Sequence, residues 1–301
     1  MPTASAYVPS LVNGLVCAVL QWIALLSRPR SAAADLMAND AVVLVFESSA
    51  LAYALLLLFA LMAAGRRRVS RLAVVAMIAA SPVMGPASAL FLFFAYVQWS
   101  GDVDDGDAAE EDLRLPVFGL AHAMAVLAVA LVLAPSACDY TVPCAAVPSR
   151  ALVRGAVVLL APLPLLLLRI PASPHLVLAV KVLYLAAYLL VGALGFASHT
   201  READEAKDAA ELMQRITERS LETGASRAVL VNFIHLTLGC VMFMAESDSL
   251  RGATGPMSVG ITFAGPAGSF GFFAGLEKFL ELRKAWKGER GLPPRRDKDA
   301  E

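Results

Sequence analysis

Residues 41–71 read AVVLVFESSALAYALLLLFALMAAGRRRVSR: twenty-four residues with one ionisable side chain, Glu47, followed by Arg66, Arg67, Arg68 and Arg71. A helix rises about 1.5 Å per residue, so an apolar run of this length covers the roughly 30 Å of hydrocarbon in a bilayer. The run is continuous, whereas a barrel strand facing lipid would alternate apolar and polar residues. Residues 41–64 therefore predict a membrane-spanning helix, and the arginines behind it mark a cytoplasmic end.

The same reading applied outward finds seven further runs, at 7–26, 72–99, 116–134, 151–169, 175–197, 226–245 and 256–276. The eight runs take up more than half of a chain of 301 residues that is 58% hydrophobic and 17% charged, with a net charge of −1. A soluble monomer of this composition would expose far more apolar surface than one core can hide, and the composition is equally remote from disorder. Nucleic acid is excluded as a partner by the near-neutral balance, since binding phosphates needs a basic surface. The expected fold class is an all-α polytopic membrane helix bundle of about eight transmembrane helices over residues 1–276, with no soluble domain. Residues 277–301 follow as a basic amphipathic helix and a tail. The lipid bilayer is the first partner.

Eight crossings place 18 of the 25 Lys and Arg residues on the side that carries both termini and 5 on the other, so both termini are expected in the cytoplasm. Reducing the Pro-rich segment around Pro162 and Pro164 to a re-entrant piece reverses the bias, to 8 inside and 16 outside, which favours the even count. Ala32, Ala33 and Ala34 resemble a signal-peptidase site, but no basic segment precedes the first run and Arg28 and Arg30 follow it. The first run is therefore read as a retained span.

Outside the spans, Asp102 to Asp112 holds seven carboxylates in eleven residues and reads as a solvated acidic loop on the outer side, out of register with a calcium loop. Cys138 and Cys144 sit in a cytoplasmic loop on this topology and read as unpaired thiols. Residues 201–224 read as a cytoplasmic amphipathic helix carrying Ala209, Leu212, Met213 and Ile216 on one side, a place where a protein partner would dock; the C-terminal tail is another. Lys278, Arg283, Lys284 and Lys287 alternate with Phe279, Leu280, Leu282 and Trp286, a pattern suited to an anionic lipid surface.

Within the spans, Gly85-Pro86 and Gly265-Pro266 are helix-break candidates near mid-depth. Residues 85–94 (GPASALFLFF) and 265–274 (GPAGSFGFFA) match at four of ten positions. Proline kinks account for both; a true repeat would run the two in opposite directions, as in the inverted repeats of secondary transporters. Gly260, Ala264, Gly268, Gly271 and Gly275 fall on one helical face, suited to close helix packing.

Ionisable residues are costly in lipid and so are the site candidates. Glu47, His122 and Lys181 each lie six residues below the outer end of a span, about 9 Å deep, with Gln21 at comparable depth. Together they suggest an outward-facing polar site for a small solute or ion, in which Glu47 and Lys181 neutralise each other and His122 exchanges a proton. His235, one turn after Asn232, is expected to make an interhelical hydrogen bond. HExxH, GxSxG, Walker and GxGxxG signatures are absent, so neither an enzyme nor a cofactor or metal site is expected. The leading expectation is passage of a small solute or ion through the bundle. The alternative is a non-catalytic membrane scaffold or assembly partner.

Overall fold

A computed structural model of the chain describes residues 4–26, 40–67, 69–100, 113–133, 157–168, 170, 173–205, 224–246 and 254–289, with isolated residues between 211 and 221. Among these the structure is helical and contains no strand. The helices are α1 (Ala4–Leu26), α2 (Asp40–Arg66), α3 (Arg71–Met84), α4 (Pro86–Trp99), α5 (Arg114–Leu133), α6 (Val157–Leu167, closing as a 3-10 turn), α7 (Pro174–Glu205), α8 (Gly224–Glu246) and α9 (Thr254–Glu289). Four stretches are long and apolar enough to cross a membrane: Tyr7–Leu26, Ser48–Gly65, Pro174–Thr200 and Ser226–Ala245. The acidic loop 102–112, Cys138, Cys144, most of 206–223 and the tail from 290 lie outside the described residues.

The helices sort their side chains as lipid demands. On α1, Val12, Leu15, Val16, Val19 and Ile23 are exposed, while Ser10, Asn13, Cys17 and Gln21 are buried. The steps from 10 to 13, 17 and 21 keep those four residues on one face, so α1 turns its polar stripe inward. Helix α2 is the hub: Leu55 to Leu58 and Leu61 are fully buried, and α2 packs against α4, α5, α7, α8 and α9. Phe59, Phe94, Phe243 and Phe270 meet there, with ring centroids 5.5 Å apart for Phe59–Phe243, 3.8 Å for Phe94–Phe243 and 6.0 Å for Phe59–Phe270.

Segments 72–99 and 256–276, read above as single spans, each fold back on themselves. The Arg67 guanidinium, four residues before α3, donates to the Val97 carbonyl at 2.9 Å, near the far end of α4. An unbroken helix from 71 to 99 would hold those ends about 40 Å apart. Gly85 makes the reversal with φ 88° and ψ 147°, a left-handed conformation open to glycine, and Pro86 starts the return arm with φ preset and no N–H to satisfy. Helix α9 repeats the device: Gly265 has φ 68° and ψ 169°, Pro266 follows, and a Cβ on Gly260 would stand 2.7 Å from Ser269 Oγ. Both are hairpins, not kinks, because a positive-φ glycine reverses the chain where a proline alone only bends it.

The two hairpins belong to two matching units. Gly14 of α1 lies against Leu92 and Gln21 against Gly85; Gly192 of α7 lies against Gly271 and Phe272, and Gly265 against His199. The offset is 178 residues along α1 and α7 and 180 along the hairpins, so one unit reproduces the other almost residue for residue. Likewise α1 packs on α8 as α7 packs on α2. Leu56 faces Gly239 and Phe59 faces Phe243, so α2 and α8 run parallel, and the units repeat in the same direction and not in opposed ones.

Hairpin and straight helix are separable by cross-linking. A Cβ on Gly260 is 3.6 Å from the Ser269 Cβ, within disulfide geometry, whereas nine residues of straight helix would separate them by about 13.5 Å. With the four native cysteines replaced by alanine, Gly260→Cys paired with Ser269→Cys is expected to oxidise to an intramolecular disulfide, read by loss of thiol labelling. Persistent free thiols under oxidant would rule the hairpin out.

Candidate functional site

The tip of the first hairpin meets α1 and α8 at a knot of buried amides. Asn232 Nδ2 donates to Gln21 Oε1 at 2.6 Å and to the Ala228 carbonyl at 2.9 Å, while its Oδ1 accepts from the Ala87 backbone N–H at 3.1 Å. Ala87 opens the return arm, whose first N–H groups have no partner within the helix. Asn232 thus acts as a cap supplied by another helix. A Cβ at Gly85 would stand 2.7 Å from the Gln21 amide, so glycine is needed there for space as well as for φ.

Lower on the same seam, Ser88 Oγ donates to the Gly14 carbonyl at 2.7 Å and His235 Nδ1 lies 2.5 Å from Asn13 Oδ1. His235 therefore makes an interhelical contact, with Asn13 across the α1–α8 interface. Ser10 Oγ and Asn13 Nδ2 are buried and find no partner among the described residues. The sequence reading missed Ser10 and Asn13, although their spacing with Gln21 on one face of α1 was readable.

Beside the tip lies a cavity of about 540 Å³ between α2, the first hairpin, α5, α6 and α8. Its polar wall is Gln21, Ser49, Tyr53, Ser81, His122 and Asn232; the rest is apolar, including Phe46, Pro86, Val126 and Leu236. Among the described residues no Asp, Glu, Lys or Arg lines it. His122 is buried, stacks on Phe118 with ring centroids 5.3 Å apart, and its Nδ1 has no hydrogen-bond partner among the described residues. A buried ring nitrogen without a partner, on a residue that lines a cavity, is a group that a ligand or water can satisfy.

Of the residues expected to form the polar site, Gln21 and His122 share this cavity. Lys181 does not. It is partly exposed near the start of α7, next to the turn in which Tyr184 donates to the Pro116 carbonyl at 3.0 Å. His199, the counterpart of Gln21, is eighteen residues further on, about 27 Å along the helix, so Lys181 and Gln21 stand at opposite ends of the bundle. The Glu47 side chain lies outside the described residues. Lys278, expected to face lipid, is instead 5% exposed and bonded to Glu281 at 2.8 Å. Gly85, Pro86, Gly265 and Pro266 form the two hairpin tips. Among the described residues no three His, Cys, Asp or Glu side chains gather as a metal site would require.

No protein-family model, no curated protein and no solved structure matches this chain.

The amide knot is open to measurement. Asn232→Leu strands the Ala87 N–H and the Gln21 carbonyl, and is expected to lower unfolding free energy in mixed micelles by about 1–3 kcal/mol. A double-mutant cycle between Gln21→Ala and Asn232→Ala should leave a coupling of about 0.6–1.7 kcal/mol, the range of hydrogen bonds between membrane helices. Strict additivity would show that the two amides do not interact.

Proposed function

We propose that the chain is a multi-pass membrane protein that binds a small, uncharged, mostly apolar molecule beside its first hairpin and passes it through the bundle. The supporting observation is the cavity: its volume and its apolar wall with a few convergent polar groups suit such a ligand. A bare ion would lose its hydration there to few polar groups, with no opposite charge among the described residues. The expected solute pathway thus keeps Gln21 and His122, gains Ser49, Tyr53, Ser81 and Asn232, and gives up a Glu47–Lys181 pair.

In this reading the chain crosses the bilayer six times, through α1, α2, α5, α6, α7 and α8, and the hairpins enter and leave on the side that holds both termini. That side then carries Arg66, Arg67, Arg68, Arg71, Arg114, Arg169, Arg251 and the eight basic residues from Lys278 onward, fifteen against eight on the other side. The imbalance makes it cytoplasmic, as in the eight-span reading. Two hairpins replace two crossings, so the parity at the termini is unchanged. The acidic loop, however, moves to the cytoplasmic side, and residues 201–224 with Cys138 and Cys144 move to the outer one.

Proteoliposomes test the function. Wild-type protein is expected to speed the equilibration of uncharged solutes with an apolar body and one or two hydroxyls, such as short-chain diols, over empty vesicles, without dissipating a potassium diffusion potential. Ala50→Phe, which fills the cavity, should return the rate to that of empty vesicles while leaving thermal unfolding within a few degrees of wild type. Wild-type vesicles that equilibrate no faster than empty ones would discard the pathway and favour the scaffold reading.

A further inference from the structure

A second concavity lies at the other end of the first hairpin, where α3 begins. It has a volume of about 960 Å³ and opens to the outside between the starts of α3 and α5 and the end of α6. Arg71, Arg114 and Ser70 form its polar rim, and Leu72, Val75 and Leu167 its apolar wall. Leu72 and Leu167 are 77% and 79% exposed, so the wall is uncovered in the monomer.

Its chemistry changes with depth. Arg71 follows the arginine cluster that ends the apolar run Ser48–Gly65, at the level where hydrocarbon gives way to headgroups. From there α3 re-enters the bundle, carrying Leu72 and Val75 along the hydrocarbon. Cations at the rim and aliphatic side chains below them match an amphiphile with an anionic head. Arg71 gives one N–H to the Leu166 carbonyl at 2.8 Å, and that bond fixes the guanidinium across the mouth of the groove. A guanidinium has five such donors, arranged to meet two oxygens of a phosphate at once.

We propose that this groove holds one anionic phospholipid, its phosphate between Arg71 and Arg114 and an acyl chain against Leu72, Val75 and Leu167. Free phosphate would use the rim alone, whereas the phospholipid uses rim and wall together. The bound lipid joins the base of the first hairpin to α5 and α6, two of the elements around the cavity. The proposal rests on the cationic rim and the wall, and stands whether or not the cavity carries a solute.

Native mass spectrometry of the full chain in neutral detergent tests it, with phosphatidylglycerol, phosphatidylcholine and inorganic phosphate as probes. One phosphatidylglycerol should be retained in preference to phosphatidylcholine, and Arg114→Gln should weaken that retention about fivefold, the effect of one basic residue at an anionic headgroup. Arg71→Gln also removes the Leu166 bond, so Arg71→Lys, which keeps the charge, serves as its control and should retain the lipid better than Arg71→Gln. Leu72→Ser with Val75→Ser leaves both cations in place and should still lower retention. Equal retention of the two lipids, or retention indifferent to Arg114→Gln, would overturn the proposal. Displacement by inorganic phosphate at equal concentration would assign the rim to a free anion instead.

Discussion

Every backbone N–H and C=O inside a bilayer must find a partner within the protein, and the two hairpins are where that requirement is hardest to meet. A chain that reverses inside the bundle leaves polar groups bare at the tip. The Gly-Pro pair reduces the number: proline brings no N–H, and Gly85 N–H closes the last turn of α3 on the Ser81 carbonyl at 2.9 Å before its positive φ turns the chain. Asn232 then caps Ala87 from another helix, and Gln21 completes the Asn232 hydrogen bonding. The polar residues of α1 and α8 are buried because the hairpin needs them there.

Duplication sharpens this account, because the two tips are solved differently. Under the offset of 178 that relates α1 to α7, Gln21 falls at His199, so an imidazole stands at the second tip where the first has an amide. At the second tip α9 approaches α7 closely through backbone: a Cβ at Gly195 would meet Gly268 N at 2.9 Å, and one at Gly271 would meet the Tyr188 carbonyl at 2.7 Å. The stripe of small residues in α9 thus packs its return arm directly on α7. Polar side chains and open space gather at the first tip, and the second is closed by contact.

The membrane-length helices and the Gly-Pro breaks were legible because both are local: apolar length marks a helix, and Gly followed by Pro marks an interruption. Direction was not. Whether residues 72–99 cross or return depends on whether Arg67 meets Val97, a contact between residues thirty apart that no periodicity encodes. Reading that segment as a crossing inverts every helix after it until the second hairpin restores parity. Lys181 was therefore measured from the wrong end of α7 and grouped with Gln21, although the two lie at opposite ends. His122 shares a cavity with Gln21 despite the same inversion, because it sits far enough along α5 to face the tip from below. Asn232 was read through its neighbour His235, and its role as a cap was hidden because the N–H it satisfies belongs to Ala87, far away in sequence.

The strength of the two attachments decides which hairpin can respond to a ligand. Hydrogen bonds between membrane helices are worth roughly 0.6 kcal/mol on average, because alternatives exist within the bundle, so each amide bond at Asn232 is individually weak, and packing of the return arm on α1 adds to them. Under the proposed function, a molecule in the adjoining cavity that offers its own acceptor to Ala87, or its own donor to Gln21, would compete for those bonds. At the second tip, parting α9 from α7 would abandon a seam of close backbone contact. The cavity adjoins the first tip for one reason: Gln21 and Asn232, the amides that cap the reversed chain, are also part of its polar wall.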